Sequence, residues 1–551
     1  MQSRIIPGTG TAVALGSVFY WWQARRKAKA EGRATVTALP FGISTPSLFA
    51  FAFFIVLPER RRGGDSFAVA IFSCLWSGIL EAATVFYGFL VRRFVPTSAL
   101  VSSLSGIAVA LIATGALYEI FQFPTLALLP LLLFMFATVS RAELRFPSIH
   151  KLPRMLLPWT VVIIMVGTVI YWILVALGSS EVKLSRQPMM LGFYLPRPSF
   201  IEIFQGFSNS LKYMSLMISL ALINGVGSLQ ILVSAKNRGD DFDTTSSLLI
   251  NGFATILASC FGAVFPTTLY IGHPTMKLMG ARSGYMLLHA IAIWIVSTFG
   301  FIQLFLKYIP TSTLLPILVY VGLQMTAEGF HSDDHEAQPD VPRRYHLAVA
   351  IGLIPSLSNL TVQAATNALQ VANVSLKTVF QQFAPSSFYL GGAIALSQGF
   401  LLSSILLSAT IVFWIDRKYS RSSVMLFISA GLSWIGLIHS YQITDDGIHN
   451  LFITQNGSWI AAPGFVIGYG IMGLFMLAIS VVQRFLKVWN QGNLILIEGH
   501  YQWAYDSLPT VSPNQETTEP TELDEAARTS TTTPVENMSL VLHPHPTADP
   551  E

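Results

Sequence analysis

The stretches ALPFGISTP (residues 38–46) and FPTTLYIGHP (residues 265–274) interrupt two apolar runs in opposite halves of the chain. In each, a proline opens a few extended residues, and small or polar residues then lead to a second proline and a new apolar run. This order is typical of a membrane span that begins as a strand and finishes as half a helix. Unwound backbone at bilayer depth is tolerated only where protein buries it or where it lines a polar cavity. The matched pair therefore predicts a solute-binding site between two interrupted spans.

Composition places the chain among polytopic membrane proteins. Of its 551 residues, 52% are hydrophobic and 11% are charged, and the mean hydropathy is +0.56, whereas an ordinary soluble domain has about 25% charged residues. The net charge is only +4 and the basic residues form short clusters between apolar runs, so nucleic acid is not expected as a partner. Cys74 and Cys260 lie in separate apolar runs, which excludes a disulfide framework and a cysteine-based zinc site.

Apolar runs of about 20 residues divide the chain into candidate spans. They predict a first repeat at 1–178, an extramembrane connector at 179–200, a second repeat at 201–416, two extra spans within 417–488 and a disordered tail at 489–551. The run at 345–357 is short for a span, and residues 358–387 fit either an external loop or another helical piece. The excess of basic residues in alternate loops predicts a multi-pass protein of the cell membrane whose C-terminal tail is cytoplasmic.

Each interrupted span predicts a half-helix with free N–H groups at its start. Thr45 is the predicted N-cap and Pro46 the first helical residue of one half-helix, and His273 and Pro274 occupy the equivalent places in the other. Two such helix ends carry roughly half a positive charge each and attract an anionic or electron-rich solute. The alternative is that both motifs are proline kinks repaired by neighbouring helices.

These two stretches, together with LINGVGSLQILVSA (residues 222–235), resemble the nucleobase/ascorbate permeases, also called the xanthine/uracil permease family. The resemblance covers residues 9–329. It implies an all-α polytopic fold of two inverted seven-span repeats, with strand-helix broken third and tenth spans and with core and gate domains. It also implies a substrate site between the broken spans and the eighth helix, and a proton or sodium ion as the coupling ion without any other cofactor. A homodimer is left open.

This chain departs from the family pattern in three places, and the loss of two carboxylates weakens the expectation of nucleobase selectivity. The eighth-helix carboxylate of the nucleobase members is matched here by Asn224. A second carboxylate is expected just after the second strand, where this chain has Gly272 and His273. Only six spans precede the connector, so the first span of the family plan is predicted to be missing, and the last two spans are extra to that plan.

The broken spans and the eighth helix supply the candidate substrate-binding residues. Phe41 or Tyr270 could stack on a planar substrate. Asn224, Gly227 and Ser228 share one helical face, and an amide there suits the mixed edge of a heterocycle. The alternative role of Asn224 is to hold helices together while the glycines permit close packing. The substrate-binding candidates are Phe41, Gly42, Ser44, Thr45, Asn224, Ser228, Thr268, Tyr270 and His273.

Glu81 lies deep within the apolar run at 67–91 and is the candidate proton carrier. A carboxylate at such depth costs several kcal/mol unless it is paired or protonated. His289 is a candidate partner in proton coupling. The alternative is a structural ion pair or a neutral, hydrogen-bonded acid.

The sequence therefore predicts a secondary transporter that moves a small, nucleobase-like solute by alternating access. The alternative substrate is a small organic or inorganic anion, because positive helix ends without opposing carboxylates form an anion site. A metal-dependent membrane enzyme is a weaker alternative, because its acidic cluster lies in a polar loop and a solvated loop accounts for it. The residues of that cluster are His331, Asp333, Asp334, His335 and Glu336.

Overall fold

The computed structural model describes residues 2–61, 63–140, 144–145, 156–157, 159–179, 192–270, 272–331, 345–372, 374–383, 389–444, 447–449 and 459–489. By internal contacts the chain divides into a unit of residues 1–483 and a unit of residues 484–551. Of the second unit, only the end of one helix, up to residue 489, is described. The predicted tail from residue 490 onward and most of the acidic cluster, from residue 332, lie outside the described residues.

Helices dominate the first half of the chain. Helix α4 shows why they begin where they do, because the side chain of Asp65 accepts hydrogen bonds from the free N–H groups of Phe67 and Ala68, both at 3.1 Å. The elements are α1 (Gln2–Ala30), β1 (Phe41–Ile43), α2 (Thr45–Phe51), α3 (Leu57–Arg61), α4 (Ser66–Phe94), α5 (Thr97–Ile107), α6 (Thr114–Gln122), α7 (Pro124–Val139), β2 (Leu144–Arg145), β3 (Leu156–Leu157) and α8 (Trp159–Ala176).

The second half repeats this pattern of long helices around one short strand. The elements are α9 (Phe200–Ser210), α10 (Met214–Asn237), α11 (Thr244–Cys260), β4 (Thr267–Leu269), α12 (His273–Leu278), α13 (Gly284–Thr298), α14 (Phe301–Tyr308), α15 (Leu315–His331), α16 (His346–Val371), α17 (Leu376–Phe383), α18 (Leu390–Ser397), α19 (Phe400–Ile415), α20 (Tyr419–Ile435), β5 (Gln442–Thr444), β6 (Gly447–His449) and α21 (Pro463–Trp489).

Strands β1 and β4 pair antiparallel, with Gly42 opposite Thr268. The backbone N–H of Ser44 donates to Pro266 O and that of Tyr270 donates to Pro40 O, each at 2.9 Å. Proline has no N–H to donate, so the hydrogen-bond ladder cannot continue toward the N-terminus through Pro40 or Pro266. Each strand is followed by a short helix, α2 or α12. The predicted strand-then-half-helix form of both interrupted spans is confirmed.

The predicted start of the first half-helix was wrong by one residue. The N-cap is Ser44, which has extended dihedral angles (φ −63°, ψ 107°) and accepts a hydrogen bond at its side chain from the N–H of Ser47. Thr45 and Pro46 are already helical. In the second half-helix, His273 is likewise the first helical residue and not the cap. A serine three residues before a free N–H is the better-placed acceptor, and the proline fits the first turn equally well one place later.

Packing around the strand pair shows that the two halves are inverted repeats. Helix α1, which precedes β1, packs against α13, which follows β4. Helix α11, which precedes β4, packs in the same way against α4, which follows β1. The helix before each strand thus meets the helix after the other strand, as an antiparallel crossing of two equivalent halves requires.

The helices form two groups. The first group consists of α1–α4 and α9–α13, and the second group consists of α5–α8 and α15–α20. In the second group, α5 packs on α16 and α19, with Ser102 donating to Val349 O at 3.1 Å and Ser103 donating to Leu401 O at 3.2 Å. The two groups meet where α10 contacts α19 and α5, and where α2 contacts α5. These groups correspond to the expected core and gate domains, and the exact domain boundaries stay predictions.

Within the described ranges, six helices are long and apolar enough to cross a membrane, or seven if the bent pair α18–α19 is one span. The other predicted spans are strand-helix elements, helices of fewer than 18 residues, or the 29-residue helix α1, which is not among these six. The pair α18–α19 bends by 90° where Gly399 has a φ of 65°. The short run at 345–357 continues through Pro355 to Val371 and is followed by α17, so the helical alternative for residues 358–387 was right.

Candidate functional site

Glycines bring three helices of the first group close enough for their polar side chains to meet. A Cβ on Gly225 of α10 would lie 2.2 Å from Thr84 Oγ1 of α4. A Cβ on Gly252 of α11 would lie 2.3 Å from the backbone nitrogen of Ala82. Only glycine permits such approaches, and they place Glu81 of α4 between α10 and α11.

The Glu81 carboxylate is buried and is satisfied by three donors. Its Oε1 accepts from Asn224 Nδ2 at 2.7 Å and from the Ser77 hydroxyl at 3.3 Å. Its Oε2 accepts from the Thr255 hydroxyl at 3.2 Å. In the described part of the chain no Lys, Arg or His forms an ion pair with it. Only neutral donors therefore compensate for the desolvation of the Glu81 carboxylate. The structural ion pair that was the alternative for Glu81 has no partner among the described residues.

Asn224 links Glu81 to the start of the first half-helix. The Ser44 hydroxyl donates to Asn224 Oδ1, and Asn224 Nδ2 donates to Ser47 Oγ, both at 3.0 Å. Ser44 and Ser47 are fully buried in the first turn of α2. The amide therefore uses its donor and acceptor sides to join α4, α10 and α2.

The second strand reaches the same network through hydroxyl groups. The Thr267 N–H donates to Thr255 Oγ1 at 3.0 Å, and the two threonine hydroxyls lie 2.9 Å apart. One residue on, Thr268 Oγ1 lies 3.4 Å from Ser228 Oγ of α10. Asn224 and Ser228, one helical turn apart, thus contact the first and the second broken span respectively.

Gly227 lies on this face of α10 and borders unfilled space. A Cβ added there would meet no atom within 4 Å, whereas Asn224 and Ser228 on either side of it are buried. This space beside Gly227 is the candidate solute site.

The two candidate stacking residues lie elsewhere. The Phe41 ring is buried against α1, where it lies 2.1 Å from a Cβ built on Gly16 and 5.2 Å from the Tyr20 ring. The Tyr270 ring covers Gly42, and its hydroxyl donates to Ile43 O. Tyr270 therefore ties the end of β4 to the end of β1.

The two histidines and Thr45 also lie outside the Glu81 network. His273 Nε2 is 3.2 Å from both Thr37 O and Asp240 Oδ2. His289 Nδ1 is 3.1 Å from Ser17 Oγ, and among the described residues no hydrogen bond or ion pair joins His289 to Glu81. Thr45 hydrogen-bonds Tyr270. The structure brings together Ser44, Asn224, Ser228, Thr268 and Glu81.

Sequence reasoning missed Asp240, a fully buried carboxylate between α10 and α11. Its Oδ2 lies 2.7 Å from Lys277 Nζ and its Oδ1 lies 3.0 Å from Arg33 Nη2. The Thr37 N–H donates to Oδ2 at 3.2 Å. Asp240 thereby fastens the second half-helix to the segment that enters β1. An acid directly after an apolar helix, opposite a basic loop, was the available signal.

A cavity of about 610 Å³ separates α3 and the start of α10 from α16 and the α18–α19 bend. Leu216 lines it eight residues before Asn224, which is about 12 Å along a helix at 1.5 Å per residue. Arg61 and Lys212 supply positive charge. Lys212 pairs with Glu59, whereas Arg61 donates to Asn367 of α16 and has no carboxylate partner in the described part of the chain. The cavity lies between the two helix groups.

Metal ligands are not gathered in the described ranges, which contain no group of three or more His, Cys, Asp or Glu placed to hold an ion. The chemistry available beside Gly227 is hydrogen bonding by hydroxyls and one amide next to a buried carboxyl group.

No protein-family model matches the chain, and no curated protein matches it in sequence. Among solved structures, the chain is similar to the transmembrane domain of a cyanobacterium bicarbonate transporter, BicA, with 15% identity and a TM-score of 0.41 over 65% of this chain and 95% of that one. It is also similar to SLC26A9, with 14% identity and a TM-score of 0.43 over 65% of this chain and 60% of that one. Both TM-scores are below 0.5, so the assignment of the architecture rests on the helix and strand contacts within this chain.

Proposed function

We propose that the protein is a secondary transporter that carries a small anion through the space beside Gly227, together with a proton on Glu81. One observation carries this proposal: both broken spans hydrogen-bond to α10 through Asn224 and Ser228, Asn224 also binds the buried Glu81 carboxyl group, and Gly227 of the same helix faces open space. Irregular backbone at membrane depth that lines such a space is a hallmark of transporter binding sites.

The polar groups around the space favour an anion over a nucleobase. The hydroxyl pair Ser228–Thr268 keeps one O–H that can donate to an oxyanion, and the first turn of α2 presents its positive end. Arg61, which has no carboxylate partner among the described residues, adds positive charge in the 610 Å³ cavity, and this charge attracts anions. Phe41, which would stack on a planar base, packs instead against α1.

The charge of Glu81 would link anion binding to protonation. An ionised Glu81 would repel an anion across a short, poorly solvated distance, whereas a protonated Glu81 would not. Anion and proton therefore favour each other's binding, which is the thermodynamic requirement for symport.

Alternating access requires the first helix group to move against the second. The 610 Å³ cavity already separates the groups along α3 and α16, whereas α10 packs on α5 and α19 elsewhere. The hydrogen bond from Arg61 to Asn367 crosses this cleft and would break or re-form during the movement.

Uptake into proteoliposomes made with the purified full chain tests the proposal. With an inward proton gradient, we expect saturable uptake of labelled sulfate, formate or oxalate that collapses when a protonophore is added. Labelled uracil and xanthine serve as the comparison. If the bases accumulate and the anions neither accumulate nor compete, the nucleobase alternative replaces the anion proposal.

A further inference from the structure

A second cavity, of about 430 Å³, lies away from the candidate site between α19, α20 and α21. Its walls are mainly apolar and include Leu407, Ile411 and Leu426. Gly464 and Gly468 of α21 leave part of the cavity wall without side chains, because a Cβ added to either would meet no atom within 4 Å. From Leu407 to Trp414 the crevice follows about 10 Å of α19 at 1.5 Å per residue.

An unpaired hydrogen-bond donor lies at one end of this crevice. The Trp414 Nε1 atom is buried and has no hydrogen-bond partner in the described part of the chain. An indole N–H can only donate, so an occupant with an acceptor atom would satisfy it.

Two arginines without acidic partners lie beyond the same end. Arg417 follows Trp414 by three residues and has a left-handed backbone with φ 56°, a conformation that favours glycine. It closes α19 as the Lys418 N–H donates to Phe413 O at 2.8 Å. Arg417 and Arg421 are exposed and form no ion pair within the described residues, whereas Lys418 pairs with Asp416 at 2.7 Å.

We propose that this crevice holds one acyl chain of an anionic phospholipid, with the phosphate between Arg417 and Arg421 and an ester oxygen accepting from Trp414. Helix α21 is apolar enough to span a membrane and exposes most of its surface, so lipid is the molecule that surrounds it. An apolar slot that ends at two uncompensated arginines selects an anionic headgroup over a zwitterionic one.

The lipid would fasten the two C-terminal helices to the rest of the protein. Between them, Ser423 donates to Gly473 O at 2.7 Å, and His439 Nε2 lies 2.9 Å from the Tyr469 hydroxyl. The acyl chain fills the gap that these polar contacts leave against α19. This role is independent of the solute that is transported.

Thermal unfolding and native mass spectrometry of the detergent-purified full chain test the proposal. We expect phosphatidylglycerol to bind and to raise the Tm, and phosphatidylcholine to do so much less. Arg417→Gly suits the left-handed backbone and should keep the fold. Combined with Arg421→Gln, it should weaken phosphatidylglycerol binding by about fivefold per charge removed. Lys418→Gln is the matched control and should leave binding unchanged.

Two further arms separate the headgroup from the chain. Gly468→Leu fills the crevice and should abolish binding while the protein stays folded, and soluble glycerol 3-phosphate should leave the Tm unchanged. An equal effect of the two phospholipids, or full binding by the double arginine variant, would overturn the headgroup assignment. A Tm rise with glycerol 3-phosphate, or unchanged lipid binding by Gly468→Leu, would overturn the acyl-chain assignment.

Discussion

Asn224 Nδ2 lies 2.7 Å from Oε1 of Glu81, and the same amide is hydrogen-bonded to the first turn of the first half-helix. Glu81 also touches Thr255, which carries the contact to the second strand. A proton gained or lost by Glu81 therefore alters hydrogen bonds that lead to both broken spans. The proposed coupling of a proton to solute movement rests on this connection.

Replacing Glu81 with glutamine should uncouple transport from the proton gradient. The Gln side chain keeps an acceptor for Asn224 but cannot titrate, so the site stays neutral at every pH. We expect gradient-driven accumulation in proteoliposomes to be lost while exchange of labelled for unlabelled solute persists. Glu119→Gln, an exposed carboxyl change on α6, is the control. Accumulation that still follows the proton gradient in Glu81→Gln would show that another group carries the proton.

Replacing Gly227 with leucine should block transport without unfolding the protein. A side chain has room there, because a Cβ meets nothing within 4 Å, but it occupies the space assigned to the solute. We expect uptake to fall at least about tenfold, the scale of losing 1.4 kcal/mol, with little change in Tm. Gly115→Leu, at an open and exposed position of α6, controls for helix substitution.

Gly225→Ala is the opposite case, two residues away. Its new Cβ would lie 2.2 Å from Thr84 Oγ1, and overpacking of this kind costs about 1–3 kcal/mol. The Tm of Gly225→Ala should therefore fall.

For the Gly227 prediction, normal uptake by Gly227→Leu would place the solute path elsewhere.

The broken spans were predictable because their signal is local. Prolines that bracket a few extended residues, with small residues between, prevent a continuous helix whatever surrounds them. The face of α10 was also predictable, since residues 224, 227 and 228 are neighbours in any helix. These local rules identified Asn224 and Ser228 as site candidates, and the structure brings both into contact with the strand-helix elements.

The rest depended on which helices meet, and the sequence carries little information about that. Thr255 and Ser77 have no periodic signal, and they became partners of Glu81 only because glycines let α4 and α11 approach. Phe41 directly follows Pro40 in the first broken span, but its ring packs on the α1 side of the strand because Gly16 of α1 leaves room for it there. His289 is assigned to Ser17 by helix packing that no local rule reveals.

Replacing Asp240 with asparagine should destabilise the protein by loosening the second half-helix. Asp240 is fully buried and meets Lys277, Arg33 and the Thr37 N–H, and asparagine would remove its charge and replace one of its two acceptor oxygens with an NH2 donor. A loss of this kind costs about 1–3 kcal/mol, and a lower Tm should show it. Asp241→Asn is the matched control, because Asp241 pairs with Lys236 in solvent. Equal Tm values for the two variants would show that burial of Asp240 contributes nothing.

Replacing Asp243 with alanine should destabilise the protein in a pH-dependent manner. Asp243 caps α11 by accepting from the Ser246 N–H at 2.8 Å, and hydrogen bonds from the Ser246 side chain and backbone lower the pKa of Asp243. A lowered pKa means that the stabilisation is complete above the unfolded-state pKa of about 3.9 and is lost as the pH falls through the folded-state value. At pH 7 the loss should be about 1 kcal/mol, typical of an N-cap, and the Tm difference from wild type should shrink toward pH 3. Asp243→Asn keeps a capping acceptor without a titrating group and should stay near wild type at pH 7. A Tm difference for Asp243→Ala that is constant from pH 7 to pH 3 would show that the charge of Asp243 has no part in the cap.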